Sequence, residues 1–259
     1  NVIVGQSVRE FFEGDRIPDH LEGHYVICHW NERAHGVIRQ LRSQELQTRD
    51  GFRHVVVIDP ERVNTRALRA AGGDTMQDVL FITGDPGEIP NLERAAVHQA
   101  QGVVVLADDR IGEEHADGKT LLILKALGRM ALDAIRSKDS QSIRGANRLT
   151  ERLLRVQRTK APIHVVTEAV WKEHRDQFSK LTQGAAWGAD HAEGGLVLET
   201  LTVKDVEARI FSQVARCSGL SQLYFELTSF SADENGNEVY RAPAPSWLVG
   251  KTFGEAALT

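Results

Sequence analysis

The 259-residue chain is short of cysteine, of aromatic rings and of long apolar runs. Its two cysteines, Cys28 and Cys217, lie far apart, and its ten histidines follow no ligand spacing. A disulfide framework and a structural zinc site are both excluded on that count. Each cysteine stands inside an apolar pattern, so both are expected to be buried, reduced thiols. No run approaches the roughly 18 apolar residues a membrane-spanning helix requires, and no signal-peptide pattern opens the sequence. Nor is there a surplus of positive charge: 31 Lys/Arg against 36 Asp/Glu give a formal −5, which argues against a nucleic-acid partner. The first residue is not Met and the final "FGEAALT" reads as the start of a helix, so a piece of a longer polypeptide is expected. Glycine, finally, is missing where dinucleotide-binding proteins need it. In "VICHWNERAHG" (26–36) the three places of G-x-G-x-x-G hold His29, Asn31 and Ala34.

What is present is an ordinary globular composition, 41% hydrophobic and 26% charged, with a clear rhythm. Six short runs are rich in β-branched residues: 24–28, 54–58, 79–82, 102–106, 163–167 and 196–201. Most are continuously apolar, as strands covered on both faces are. Helical patterns separate them, with Ala34, Val37, Ile38 and Leu41 on one face, a leucine stripe over 121–127, and Trp171, Phe178 and Leu181 in a third. Alternation of this kind predicts an α/β fold with a doubly wound parallel sheet and right-handed crossovers. Residues 133–160 interrupt the rhythm, carrying eight Lys/Arg against three Asp/Glu. Its first half, "SKDSQSIRGAN", reads as a loop. The second, with Leu149, Leu153 and Val156 in register, reads as a basic amphipathic helix. Such a segment is either a solvated insertion or a contact to anionic lipid or an acidic surface. After residue 200, "TVKDVEARIFSQVARCSGL" aligns Val206, Ile210, Phe211 and Val214 on a helix face. A strand–turn pattern is expected next, from "LYFEL" through Asn235-Gly236 to Tyr240. Three segments result: 1–20 as a linker, 21–200 as a Rossmann-like lobe, and 201–259 as a crossover helix with the start of a small, partly truncated C-terminal lobe.

Two sets of residues carry possible binding chemistry. At the first turn, His29 and Asn31 replace the two glycines that admit a pyrophosphate, and the Asn31 side chain is expected to stand in its space. Asp59, after the second strand, occupies the place of a ribose-binding acid, and Asp85 sits in the turn "TGDPGE". The second set is acidic: Asp108, Asp109, Glu113, Asp117 and Glu168 follow strands four and five, at the edge where open α/β sheets bind ligands. Convergent carboxylates there would suit calcium. A nucleotide such as ADP, AMP or NAD, a bound cation and an empty acidic edge all stay open. No nucleophile–base pair is legible, so no enzymatic centre is expected.

The stretches "HYVICHWNERAHGVIRQL", "VVVIDPE", "TGDPGEIPNLERAAVHQAQGVVVLADD" and "IHVVTEA" resemble the RCK (TrkA-N) domains that regulate potassium channels and transporters. Residues from "GGLVLETLTVKDVEARIF" to "ENGNEVY" are similar to a segment of the CASTOR and POLLUX ion channels and their bacterial relatives, and "LVGKTFGEA" to the start of the C-terminal lobe. The resemblance implies a ligand-sensing gating-ring subunit on the cytoplasmic face of the cell membrane. Such subunits dimerise through a helix–crossover–helix, assemble into tetrameric or octameric rings and pull on the pore domain of the same polypeptide. It implies Asp59 as the ribose acid, Asp85 as the aspartate of the family's G-D-P turn and Glu168 as a calcium-site glutamate. Leu106 and Val170 stand where calcium-gated relatives need carboxylates. A soluble NAD-dependent oxidoreductase is the alternative, distinguished by the glycines and catalytic acid it would require.

Overall fold

A computed structural model describes residues 17–18, 21–45, 53–63, 76, 79–140, 162–181, 187, 195–228, 245–252 and 254–255, with backbone alone for 43–45 and 134–140. Six strands form one parallel sheet: β1 (Tyr25–Cys28), β2 (Val55–Asp59), β3 (Val79–Thr83), β4 (Gly102–Val105), β5 (Ile163–Glu168) and β6 (Leu196–Leu201). Their order is β3-β2-β1-β4-β5-β6, the doubly wound arrangement expected from the sequence. β1 is central, with Tyr25–Cys28 opposite Val55–Ile58 on one side and Gly102–Val105 on the other.

Successive side chains of a strand point to opposite faces, so each apolar run feeds two cores. On one face Val26, Cys28, Val56, Ile58, Val103 and Val105 meet Ile123, Leu124 and Leu127 of helix α3 (Glu113–Ser140). On the other, Ile27, Val55, Val57 and Phe81 meet Ala34 and Ile38 of helix α1 (Ala34–Glu45). Burying each such Val, Leu or Ile stabilises the fold by roughly 1.5–3 kcal/mol, before the cost of ordering it. Leu122 leaves the expected leucine stripe and is exposed, because it follows Leu121 by one residue and so turns about 100° from it. A short helix α2 (Ile89–Arg94) links β3 towards β4, and helix α4 (Lys172–Leu181) links β5 towards β6. Phe178 of α4 is buried, whereas Trp171 precedes the helix and is exposed.

α3 runs on through Ser140, so the expected loop does not begin at Ser137. The local condition is that no glycine or proline stands between Asp133 and Ser140 to stop the helix. The rest of the basic stretch, from 141, lies outside the described residues, as do 1–16 of the linker. Midway along α3, Gly128 lies against the buried Trp187, where an added Cβ would come within 2.6 Å of the indole Nε1.

Beyond the sheet, helix α5 (Val203–Arg216) is followed by helix α6 (Leu220–Thr228), with Gly219 between them at φ +89°. The strand expected over "LYFEL" is therefore a helix. Leu220, Leu223, Tyr224 and Leu227 recur at i, i+3, i+4 and i+7, and this helical period overrides the strand preference of Tyr and Phe. The Asn235-Gly236 turn falls outside the described residues. Neither helix buries a side chain, and Phe211 is 75% and Phe225 66% exposed. Cys217, at the C-terminal cap of α5, is exposed rather than buried. Cys28 is buried as expected, and that burial pushes its thiol pKa up to about 12.

Candidate functional site at the sheet switch point

Chain order reverses between β1 and β4, and ligands of doubly wound sheets sit in the crevice this opens beyond the carboxyl ends. The residue after β1 is His29, at φ 71°. That left-handed conformation is what the first fingerprint glycine normally supplies, and a side chain there costs about 1–2 kcal/mol. The turn thus keeps its shape without its glycine. The His29 N–H still donates to the Ile58 carbonyl at 2.9 Å, and Ala34, at the third place, is fully buried where helix meets sheet.

Asn31 stands at the second glycine place. Its Nδ2 donates to the Ala107 carbonyl (3.0 Å) and its Oδ1 accepts from the Arg33 N–H (3.0 Å). The side chain is drawn towards the β4 loop as a tie between the two halves of the cleft, because a buried amide needs partners on both its oxygen and its nitrogen.

Asp59 closes β2 with its carboxylate fully engaged. It accepts from the Trp30 N–H (2.8 Å) and the Glu61 N–H (2.9 Å), and meets Arg110 through both oxygens, at 2.7 and 3.1 Å. Arg110 also donates from Nε to Asp108 at 2.7 Å. One guanidinium therefore spans the ends of β2 and β4. Burial alone would raise the Asp108 pKa, but the hydrogen bonds and charge of Arg110 prevail and hold it below the usual range. The same carboxylates push Arg110 upward. His29 lies beneath, with Nδ1 at 3.5 Å from both Asp108 and Arg110, while Nε2 has no hydrogen-bond partner among the described residues. Desolvation lowers its pKa, against the opposing pull of Asp108 and Asp59.

Asp85 accepts from the Gly87 N–H at 2.8 Å and pairs with Lys119 of α3. Burial pulls its pKa up and the lysine pulls it further down, leaving it lowered. Gly84 before it is required, since a Cβ would stand 2.5 Å from Asn91, whose side chain holds the Asp85 carbonyl. A depression of about 320 Å³ opens beside this turn, lined by Asp85, Lys119, Leu122 and Arg129 among others.

The acidic set divides in two. Asp108, Asp109 and Glu168 share the edge above β4 and β5, held by Arg110 and by Arg33, which lies 3.3 Å from Asp109 and 2.8 Å from Glu168. Glu168 also accepts from the Ala107 N–H at 3.0 Å. Asp117 instead accepts from the Val170 and Trp171 N–H groups (2.8 and 3.0 Å) and contacts His174 at 2.7 Å, fastening α3 to the start of α4. Glu113 pairs with Lys204 of α5 at 2.6 Å. The expected convergence of all five is thus corrected: among the described residues no three His, Cys, Asp or Glu gather as a cation cage. Arginine or lysine side chains already compensate four of these carboxylates, and His174 with two backbone N–H groups holds Asp117. Arg33, Arg110 and Lys119 are the residues missed by spacing arguments, though an arginine inside the acidic run "ADDRIGEE" was a usable signal.

The family model of the calcium-activated potassium channel slowpoke-like RCK domain matches residues 20–174, which take in β1 to β5 and the whole cleft. The calcium-gated potassium channel TvoK of Thermoplasma volcanium is 22% identical over 245 residues, covering 93% of this chain. The chain spans about half of that relative's length, 53%. Among solved structures, the human SLO3 gating ring aligns over 86% of this chain and 31% of its own, at 12% identity and TM-score 0.46. The GsuK channel bound to NAD aligns over 74% of this chain and 24% of its own, at 12% identity and TM-score 0.41. On the match over 20–174, more than half of its length, the chain belongs to the slowpoke-like RCK domain family of calcium-activated potassium channels.

Proposed function

We propose that this chain is the cytosolic, ligand-sensing gating-ring part of a potassium or other cation channel, coupling occupancy of the switch-point cleft to pore opening. The observation that supports it most is the family match across the cleft-bearing sheet, followed directly by two helices with uncovered apolar faces. A ring subunit needs both, a site that senses and a surface that assembles. On this reading the partners are further copies of the chain, as a dimer within a tetrameric or octameric ring, and the pore domain of the same polypeptide. A regulatory rather than an enzymatic role follows, and the cytoplasmic face of the membrane is its place. No helix among the described residues is long and apolar enough to cross a bilayer.

The ligand is drawn from two classes. Calcium would take the edge of Asp108, Asp109 and Glu168 once Arg33 and Arg110 yield it, as oxygen-rich sites suit that ion. A nucleotide would take the turn of His29 and Asn31, with Asp59 and Asp85 beside it. The test is recording from the full-length polypeptide in planar bilayers, with calcium, ADP, AMP or NAD added on the side of this domain. At least one should change open probability about 5-fold or more. A pore indifferent to all four, or a polypeptide that conducts nothing, would defeat the reading.

A further inference from the structure

Arg110 sits where a ligand's ribose would meet Asp59. In dinucleotide folds the acid after the second strand receives ribose hydroxyls. Here both oxygens of the buried Asp59 are taken by a side chain from the opposite half of the cleft, at 2.7 and 3.1 Å. The same guanidinium holds Asp108, also buried, at 2.7 Å. Its reach from β4 to β2 crosses the end of β1, over the His29 ring. The planar fork of Arg suits two carboxylates at once, which neither Lys nor a neutral side chain can match. Below it, His29 is 1% exposed and its Nε2 has no partner among the described residues, an uncommon state for a buried polar atom. When Nδ1 accepts the Arg110 N–H, the neutral ring carries its proton on Nε2 and offers it as a donor.

We propose that Arg110 is a gate built into the cleft, an internal occupant that uses the acceptors of Asp59 and excludes nucleotides until it is drawn away. This rests on the ligand-sensing reading of the cleft and deepens it. The missing first glycine is no obstacle in itself, because the His29 turn already has the required left-handed backbone. Release of Arg110 frees Asp59 for a ribose diol, and leaves His29 Nε2 to donate to an oxygen of the incoming phosphate.

The test is titration calorimetry of AMP and NAD against the unaltered chain, Arg110→Gln and Arg110→Lys, with circular dichroism to confirm the fold. Loss of the guanidinium leaves two buried carboxylates uncompensated, so the Gln variant risks unfolding. The Lys variant keeps the charge but cannot span both groups, and serves as the second reading. Affinity for AMP or NAD should rise at least tenfold in a folded variant over the unaltered chain. Equal affinity in all three, weaker affinity in the variants, or no binding by any folded variant overturns the gate. None of these outcomes touches the channel reading, which calcium or another ligand could still satisfy.

Discussion

Position 29 combines left-handed backbone with a buried imidazole, and neighbours on β2 and in the loop after β4 hold it there. The ring resists protonation because burial desolvates its cation. Unfolded, the same side chain takes its proton near the ordinary 6.5. Stability from this residue is therefore full above pH 6.5 and is lost as the pH falls through the depressed folded value. Asp85 and Asp108, both lowered from 3.8, add a second loss that begins only below that pH. In His29→Gly the left-handed turn is unstrained and the titrating ring is gone. Urea midpoints between roughly pH 2.5 and 7.5 should then lose the upper step and keep the lower one. An upper step of undiminished size in His29→Gly would place its origin elsewhere. His29, Asn31, Asp59 and Asp85 were legible in the sequence because each sits at a fixed offset from a strand end. Arg33 and Arg110 were not. A long side chain can reach several carboxylates, and spacing along the chain does not say which.

Strands announced themselves as apolar runs bounded by polar turns, and all six lie within a residue or two of expectation. Helices divided by the clarity of their period. α1 and α3 were readable from their buried faces, whereas α6 was concealed by Tyr224 and Phe225, residues that also favour strands. Contacts between elements were not readable at all. Gly128 looks like an indifferent glycine in a helix, where alanine normally stabilises by up to ~1 kcal/mol. Against Trp187 the sign reverses, since the added methyl must push the indole or the helix aside. Gly128→Ala should destabilise by about 1–3 kcal/mol, seen as a lower melting temperature and altered tryptophan fluorescence. A variant as stable as the original would mean that Trp187 does not seat against α3. The Asp117 link between α3 and α4 was equally hidden, because its place in an acidic run suggested a cation rather than the backbone N–H groups and His174 that it holds.

Across the whole molecule the sheet is covered on one face by α1 and on the other by α3 and α4, but nothing described covers α5 and α6. Apolar patches of this kind mark surfaces that associate. Val206, Ile210, Phe211 and Val214 are expected to meet a second copy, in a two-fold interface that repeats each contact. Phe211→Asp should weaken that dimer by about 2 kcal/mol or more, the effect of losing a central aromatic anchor. Light scattering should then show a monomer at concentrations where the unaltered chain is dimeric, with the helix content unchanged because Phe211 is already exposed. An unaltered chain that scatters as a monomer at high concentration rules the interface out. The corner between these helices also offers a chemical handle. Of the two thiols, Cys28 is sealed in the core and hard to ionise, while Cys217 lies open. A maleimide dye or nitroxide will therefore attach once per chain without any engineering. It will sit at the turn between the two helices, so the distance between labels on two associated copies would report on how those copies are placed.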